Sequence, residues 1–162
     1  MIPSVIDYLL QLPEAMHFAK VHELCSDGIS SYRMLSDYGS GTFQLIEFEN
    51  NLLLILIGDY KPKDTFEKIT EISEDYMEIS QFETDSSSFK IGGRKRNQVD
   101  KGIYCYLNTQ KKTYTYCEGG KAVRFTKVIL SPQYFQTYFK LHDENNARLL
   151  SSARDYLLKN PN

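Results

Sequence analysis

The sequence predicts a mainly β fold with flanking α-helices, and three observations carry that expectation. Apolar and polar residues alternate in GTFQLIEF (41–48), the period of a half-buried strand. LLLILI (52–57) is apolar at every position, as in a strand buried on both faces. Between residues 76 and 130, short runs rich in Tyr, Phe, Val, Ile and Thr recur with Gly, Asn, Ser or Lys between them, the spacing of an antiparallel sandwich or barrel.

Residues 4–25 read as helical. Ser4 can cap a first segment, SVIDYLLQL, and Pro13 suits the first position of a second, PEAMHFAKVHELC, which Asp27-Gly28 ends. Asn50-Asn51 supplies a tight turn, so 41–60 reads as a hairpin. DTFEKITEISED (64–75) reads as a short helix or acidic loop rather than a strand. YMEISQFET, FKIGG, GIYCYLN, KTYTYCE and AVRFTKVIL then read as short strands. After Pro132 the pattern returns to helix in QYFQTYFKL and ENNARLLSSARDYLLKN. The expected division is an N-terminal helical segment at 1–28, a β body at 29–131, C-terminal helices at 132–160 and the start of a linker at 161–162. The last helix carries Ala147, Leu149, Leu150, Ala153, Tyr156, Leu157 and Leu158 as an apolar stripe. That stripe packs either on the β body or on a second copy, and in the second case Leu149, Leu150, Tyr156 and Leu157 are the dimerisation residues.

Composition narrows the function classes. The 162 residues suffice for one domain with a sizeable core, and 41% hydrophobic with 25% charged residues is ordinary for a globular chain. A net charge of −2 argues against a dedicated nucleic-acid-binding module, which carries a strong basic excess. Cys25, Cys105 and Cys117 form no CxxC, and the N-terminus lacks a basic region followed by a long apolar run. The longest apolar run, Leu52 to Ile57, is too short to cross a bilayer. A cytoplasmic protein with reduced thiols and no membrane contact is expected.

Little in the sequence points to catalysis. His17 and His22 are five apart and do not share a helical face as HExxH ligands do, so no metal is expected, and no cofactor. Cys105 lies in a Tyr-rich strand without a histidine nearby and reads as a buried structural thiol. Tyrosine is more informative. The chain has twelve Tyr and nine Phe but no Trp. Pairing GIYCYLN with KTYTYCE about residue 110 sets Tyr104 opposite Tyr116 and Tyr106 opposite Tyr114. Such a ladder either stabilises a sheet or forms one wall of a ligand pocket. Arg124, alternating with Val123 and Phe125, is a candidate polar anchor, and Glu78 and Ser80 are weaker ones. The basic stretch SSSFKIGGRKRNQVDKG (86–102) matches neither GxxxxGK[ST] nor GxGxxG. It follows an acidic segment, 64–85, with eight Asp and Glu against one Lys, and reads as a strand-turn-strand whose charges answer that segment or a partner surface.

The strings ISQFETDSSSFKIGGRKRNQVDKGIYCYLN and KAVRFTKVILSPQYF, with a terminal helix ending DYLLKNPN, resemble the N-terminal regulatory region of AraC-family transcription regulators. The resemblance covers roughly 40–162. It implies a cupin-like double-stranded β barrel, or jelly roll, holding a small effector, followed by helices that form a homodimer. It also implies that DNA is bound only by a separate C-terminal half with two helix-turn-helix motifs, absent from these 162 residues. The strands lack the HxH…E…H set of metal cupins, which favours non-enzymatic sensing. The expected function is effector sensing and dimerisation for a bacterial transcription regulator. The alternatives are a metal-free isomerase or epimerase, which needs two titratable groups in contact inside the barrel, and a pure dimerisation module with a filled interior.

Overall fold

In a computed structural model the described residues are 4–48, 52–72, 74–85, 87–91, 97–109 and 112–138. They form two antiparallel sheets. The chain opens with helix α1 (Val5–Ala15), whose Ser4 cap accepts from the Asp7 amide. The first strands are β1 (Phe18–Lys20), β2 (Ile29–Met34), β3 (Gly39–Phe48), β4 (Leu53–Pro62) and β5 (Phe66–Thr70). They are followed by β6 (Asp75–Phe82), β7 (Ser87–Ile91), β8 (Asn97–Val99), β9 (Gly102–Thr109), β10 (Thr113–Cys117) and β11 (Val123–Leu130). Helix α2 (Pro132–Tyr138) follows the last strand. The larger sheet has the order β1-β2-β3-β4-β11-β6-β9 and the smaller one β5-β10-β7-β8.

The mainly β, antiparallel expectation holds. The hairpin expected at 41–60 is the β3–β4 pair, in register from Gly39 opposite Pro62 to Phe48 opposite Leu53. The apolar run in β4 is buried unequally. Leu54 and Leu56 are fully buried, whereas Leu53, Ile55 and Ile57 on the other face are half-buried. β7 and β8 pair antiparallel with Ser87 opposite Val99, and the turn expected at Gly92-Gly93 lies outside the described residues.

Three local expectations are corrected. Of the expected N-terminal helices the first forms, and of the second only a short 3-10 turn at His22–Leu24. Pro13 lies inside α1 rather than opening a second helix, and His17 at φ 62° takes the left-handed conformation that a helix cannot continue. The chain then enters β1, because Phe18 (2% exposed) packs against Phe43 and Tyr60 and strand pairing with β2 satisfies the backbone. The acidic segment contains β5, in which Phe66, Lys68 and Thr70 alternate with the exposed Glu67 and Ile69. GIYCYLN and KTYTYCE are β9 and β10, but they do not pair. β9 pairs with β6 in the large sheet, and β10 lies between β5 and β7 in the small one. Of the C-terminal helices, α2 is described. Leu149, Leu150, Tyr156 and Leu157 lie outside the described residues.

The core is one cluster drawn from the facing sides of both sheets and from α1, including Val5, Leu9, Phe18, Phe43, Leu45, Leu54, Leu56, Tyr60, Cys117, Phe125 and Ile129. Removing each large side chain of this set from water contributes about 1.5–3 kcal/mol. Gly58 is required by that packing, since a Cβ there would lie 2.7 Å from the ring of Phe125.

Candidate functional site

Strand alternation decides which side chains enter the space between the sheets. From the large sheet, β6 contributes Tyr76, Glu78 and Ser80, and β11 contributes Phe125, Lys127 and Ile129. From the small sheet, β5 contributes Phe66, Lys68 and Thr70. Its register with β10 puts Thr113, Thr115 and Cys117 on the same face. Helix α1 closes this region with Tyr8. Amid apolar residues the interior therefore holds a polar group of Tyr8, Lys68, Thr70, Glu78, Ser80, Cys117 and Lys127.

The group is organised around two amines in different circumstances. Lys127 donates from Nζ to Glu78 Oε1 at 2.7 Å, and its ammonium lies 5.3 Å and 5.4 Å from the ring centres of Phe82 and Phe125. Ser80 donates its hydroxyl to the same Glu78 oxygen. That carboxylate is 5% exposed, so its charge depends on these donors. Lys68 Nζ is buried and has no hydrogen-bond partner among the described residues. Its nearest described compensation is the Tyr8 ring, whose centre is 5.0 Å away. Burial pulls its pKa down to about 7, the charge of Lys127 adds to the fall and Cys117 opposes it.

Tyr8 is held by a 2.7 Å hydrogen bond between its hydroxyl and that of Thr70. Burial raises its pKa, the Thr70 bond lowers it and the charge of Glu78 raises it, so α1 and β6 face each other across the group. The start of α1 is tied down as well, because the Val5 amide donates to Glu74 Oε1 at 2.8 Å. On the other side of the cluster, Tyr60 and Cys117 meet at 3.8 Å, and burial raises the Tyr60 phenol well above its ordinary value.

The sequence-derived candidates separate. Glu78 is inside, at the centre of the group. Tyr104 on β9 lies across from Ser80 and turns inward, packing edge-on against Phe82 at 5.8 Å and donating to the Asp100 carbonyl. Tyr106 is in register with Glu78, and its side chain is outside the described set. Tyr114 and Tyr116 alternate with the inward Thr113, Thr115 and Cys117, so they lie on the outer face of the small sheet. The four-tyrosine wall does not form, because its two halves belong to different sheets. Arg124 is also outside: its Nε meets Asp59 Oδ1 at 3.1 Å with both side chains more than half exposed. Cys105, expected to be buried, is exposed, while Cys117 is buried. His17 stacks on Tyr38 at 3.7 Å.

Lys68, Lys127 and Tyr8 were not singled out by sequence. Lys127 shares the inward alternation of Phe125 and Ile129, a signal available in VRFTKVIL. Lys68 gave no such signal, because its own strand was not recognised. Among the described residues no three His, Cys, Asp or Glu side chains converge as a metal-ligand set. No helix among them is long and apolar enough to cross a membrane. A separate apolar groove of about 290 Å³ lies on the outer face, between α2 and β3–β4, lined by Phe48, Leu53, Ile55, Tyr134 and Tyr138.

No family model matches the chain, and no curated protein matches it. Among solved structures it is similar to the cupin domain of Schizosaccharomyces pombe Cnp3, with 10% identity and a TM-score of 0.47 over 59% of this chain and 67% of that one. It is also similar to a predicted oxalate decarboxylase from Thermotoga maritima, with 16% identity and a TM-score of 0.42 over 66% of this chain and 96% of that one. An HTH_3-family transcriptional regulator from Vibrio cholerae matches with 8% identity and a TM-score of 0.40 over 56% of this chain, which spans about half (51%) of that protein. These likenesses are remote.

Proposed function

We propose that this chain is a non-enzymatic, cupin-like sensing domain whose small-molecule effector is taken up between the two sheets, at Lys68, Lys127, Glu78 and Tyr8. The observation that carries the proposal is the buried Lys68 amine without a hydrogen-bond partner among the described residues. A polar group left unpaired away from water costs about 1–3 kcal/mol, and such a cost is tolerated where function uses it. Because the Lys68 amine is covered, an effector reaches it only by displacing a covering group, and Tyr8 on α1 is placed to be that group. Binding then couples the interior to the position of the N-terminal helix, which is how a ligand biases two states it binds differently. Within this reading the chain is the regulatory half of an AraC-type transcription regulator. It dimerises through the apolar stripe at 147–158 and reaches DNA through a helix-turn-helix half encoded after Asn162.

A thermal-shift screen of sugars, small acids and aromatic metabolites tests the sensing function. Stabilisation by one chemical class supports it, and no shift with any class sinks it. Sequencing the gene beyond the codon for Asn162 tests the regulator assignment separately: two helix-turn-helix motifs support it and a stop codon removes it.

The contact between Glu78 and Lys127 favours a second reading, a metal-free isomerase or epimerase, since a carboxylate and an amine in contact can serve as base and acid. Exchange of solvent deuterium into a carbon-bound position of a ketose or 2-oxo acid, abolished in Glu78→Gln, would establish it.

A further inference from the structure

We propose that the effector is a small monocarboxylate, whose carboxylate accepts hydrogen bonds from the Lys68 ammonium beneath Tyr8. The proposal rests on the sensing function above and names its ligand class.

Charge balance is the first reason. The described charged side chains of the interior group are Lys68, Lys127 and Glu78, and Lys127 already answers Glu78 at 2.7 Å. With Lys68 protonated the group carries one uncompensated positive charge, which a buried site tolerates poorly. A single bound anion of unit charge cancels it; a dianion would overshoot, and a neutral sugar would leave it uncancelled. Donor geometry is the second reason. An ammonium offers three N–H donors and no acceptor, so its partner must accept. Ser80 already donates to Glu78, and the bond between Thr70 and Tyr8 uses one of their two hydroxyl protons, so the donors open to a ligand are the Lys68 N–H groups and the remaining hydroxyl of that pair. Apolar neighbours complete the class: Phe66 shares the inward face of β5 with Lys68, and the Phe82 ring lies 5.3 Å from the Lys127 amine, surroundings that suit a short aliphatic or aromatic tail.

A consequence follows for protons. The groups facing Lys68 are Tyr8 from α1, Lys127 from β11 and Cys117 from β10, with Glu78 of β6 acting on Tyr8. Together with burial they leave the unliganded amine with a pKa of about 7, so above that pH it is mostly neutral. A carboxylate binds the charged form, so binding takes up a proton from solution, close to one per ligand about one unit above that pKa.

Isothermal titration calorimetry of the full chain with acetate, pyruvate and benzoate, each against its neutral amide, tests the proposal. At least one acid should bind roughly ten- to hundredfold tighter than its amide, as expected for a hydrogen bond to a charged group. Its apparent enthalpy should change between phosphate and Tris buffers in the sense of proton uptake. Lys68→Met should remove both the preference and the buffer dependence. Should that variant fail to fold, the buffer dependence of the parent chain still decides. Equal binding of acid and amide overturns the carboxylate assignment and leaves sensing standing. Absence of binding by every acid also overturns it, and the neutral members of the thermal-shift screen then decide whether sensing fails with it.

Discussion

Lys127 Nζ lies 2.7 Å from Glu78 Oε1 in the space between the two sheets, where Glu78 is 5% and Lys127 24% exposed. The two residues are on neighbouring strands, and Lys127 stands directly across from Ser80, which also donates to Glu78. A buried pair of this kind is held by mutual neutralisation more than by net attraction. Glu78→Leu alone should cost about 3–5 kcal/mol, because it leaves the Lys127 charge among Phe82 and Phe125. The double variant Glu78→Leu/Lys127→Met should recover most of that loss. Urea denaturation of the single and double variants measures the difference, and additive losses would show that the two side chains do not depend on each other.

Lys68 should give the fold a pH dependence of its own. Unfolded, its pKa is the ordinary 10.5; folded, burial lowers it to about 7. Between those values the unfolded chain binds more protons, so stability rises with pH by up to about 1.4 kcal/mol per unit. Below the folded value both states are protonated, and the residue contributes its full penalty without a slope. Lys68→Met should therefore be more stable than the parent at neutral pH, by an amount that shrinks as pH rises toward 10. Denaturant titrations of both proteins from roughly pH 6 to pH 9 test this. A constant difference between them would show that the amine stays charged in the fold.

Cys105, which the sequence reads as buried, should be the first of the two strand thiols to react. Cys105 is exposed on β9, whereas Cys117 is buried against Tyr60. A maleimide should label Cys105 in the native chain and reach Cys117 only on unfolding. Partial burial pushes the Cys105 thiol up, so the native labelling rate should still be climbing as pH passes the ordinary thiol range. Mass spectrometry of peptides after brief labelling distinguishes the two sites, and native modification of Cys117 would contradict the packing described.

Much of the fold was legible because its large sheet follows the usual rule of apolar residues inside. β3 and β4 could be paired from alternation and one turn. β5 was hidden because its inward face reads Phe66-Lys68-Thr70 while Ile69 points out, 51% exposed, so polarity ran against the pattern expected of a strand. β1 was hidden because helix propensity in PEAMHFAK is overridden by one left-handed residue, His17, and by the burial of Phe18. The site shared the fate of its strands. Glu78 could be named from its position in YMEISQF, but the tyrosines were assigned by local hairpin logic, which cannot detect that β9 and β10 join different sheets. Lysine at position 68 carried no signal while its segment read as a short helix or acidic loop; β5 turns it toward the space between the sheets, where Tyr8 of α1 lies over it.

That covering helix yields the last expectation. α1 is joined to the body by the apolar contacts of Val5 and Leu9, by the Val5 amide on Glu74 and by the Tyr8–Thr70 hydroxyl pair. Among the described residues no backbone hydrogen bond ties α1 to either sheet, so it is suited to open as a unit before the strands do. Tyr8→Phe keeps the ring over Lys68 but removes the hydroxyl bond, at a cost of about 0.5–1.5 kcal/mol. Leu9→Ala removes buried apolar contact and should cost more, about 2–5 kcal/mol if the opening is global. In hydrogen exchange, Tyr8→Phe should raise the rates of the α1 amides roughly three- to tenfold while those of β4 and β11 stay unchanged. Equal acceleration in helix and strands would mean that α1 and the sandwich open together. The helix would then be part of the core rather than its cover, and an effector could not reach Lys68 by moving it alone.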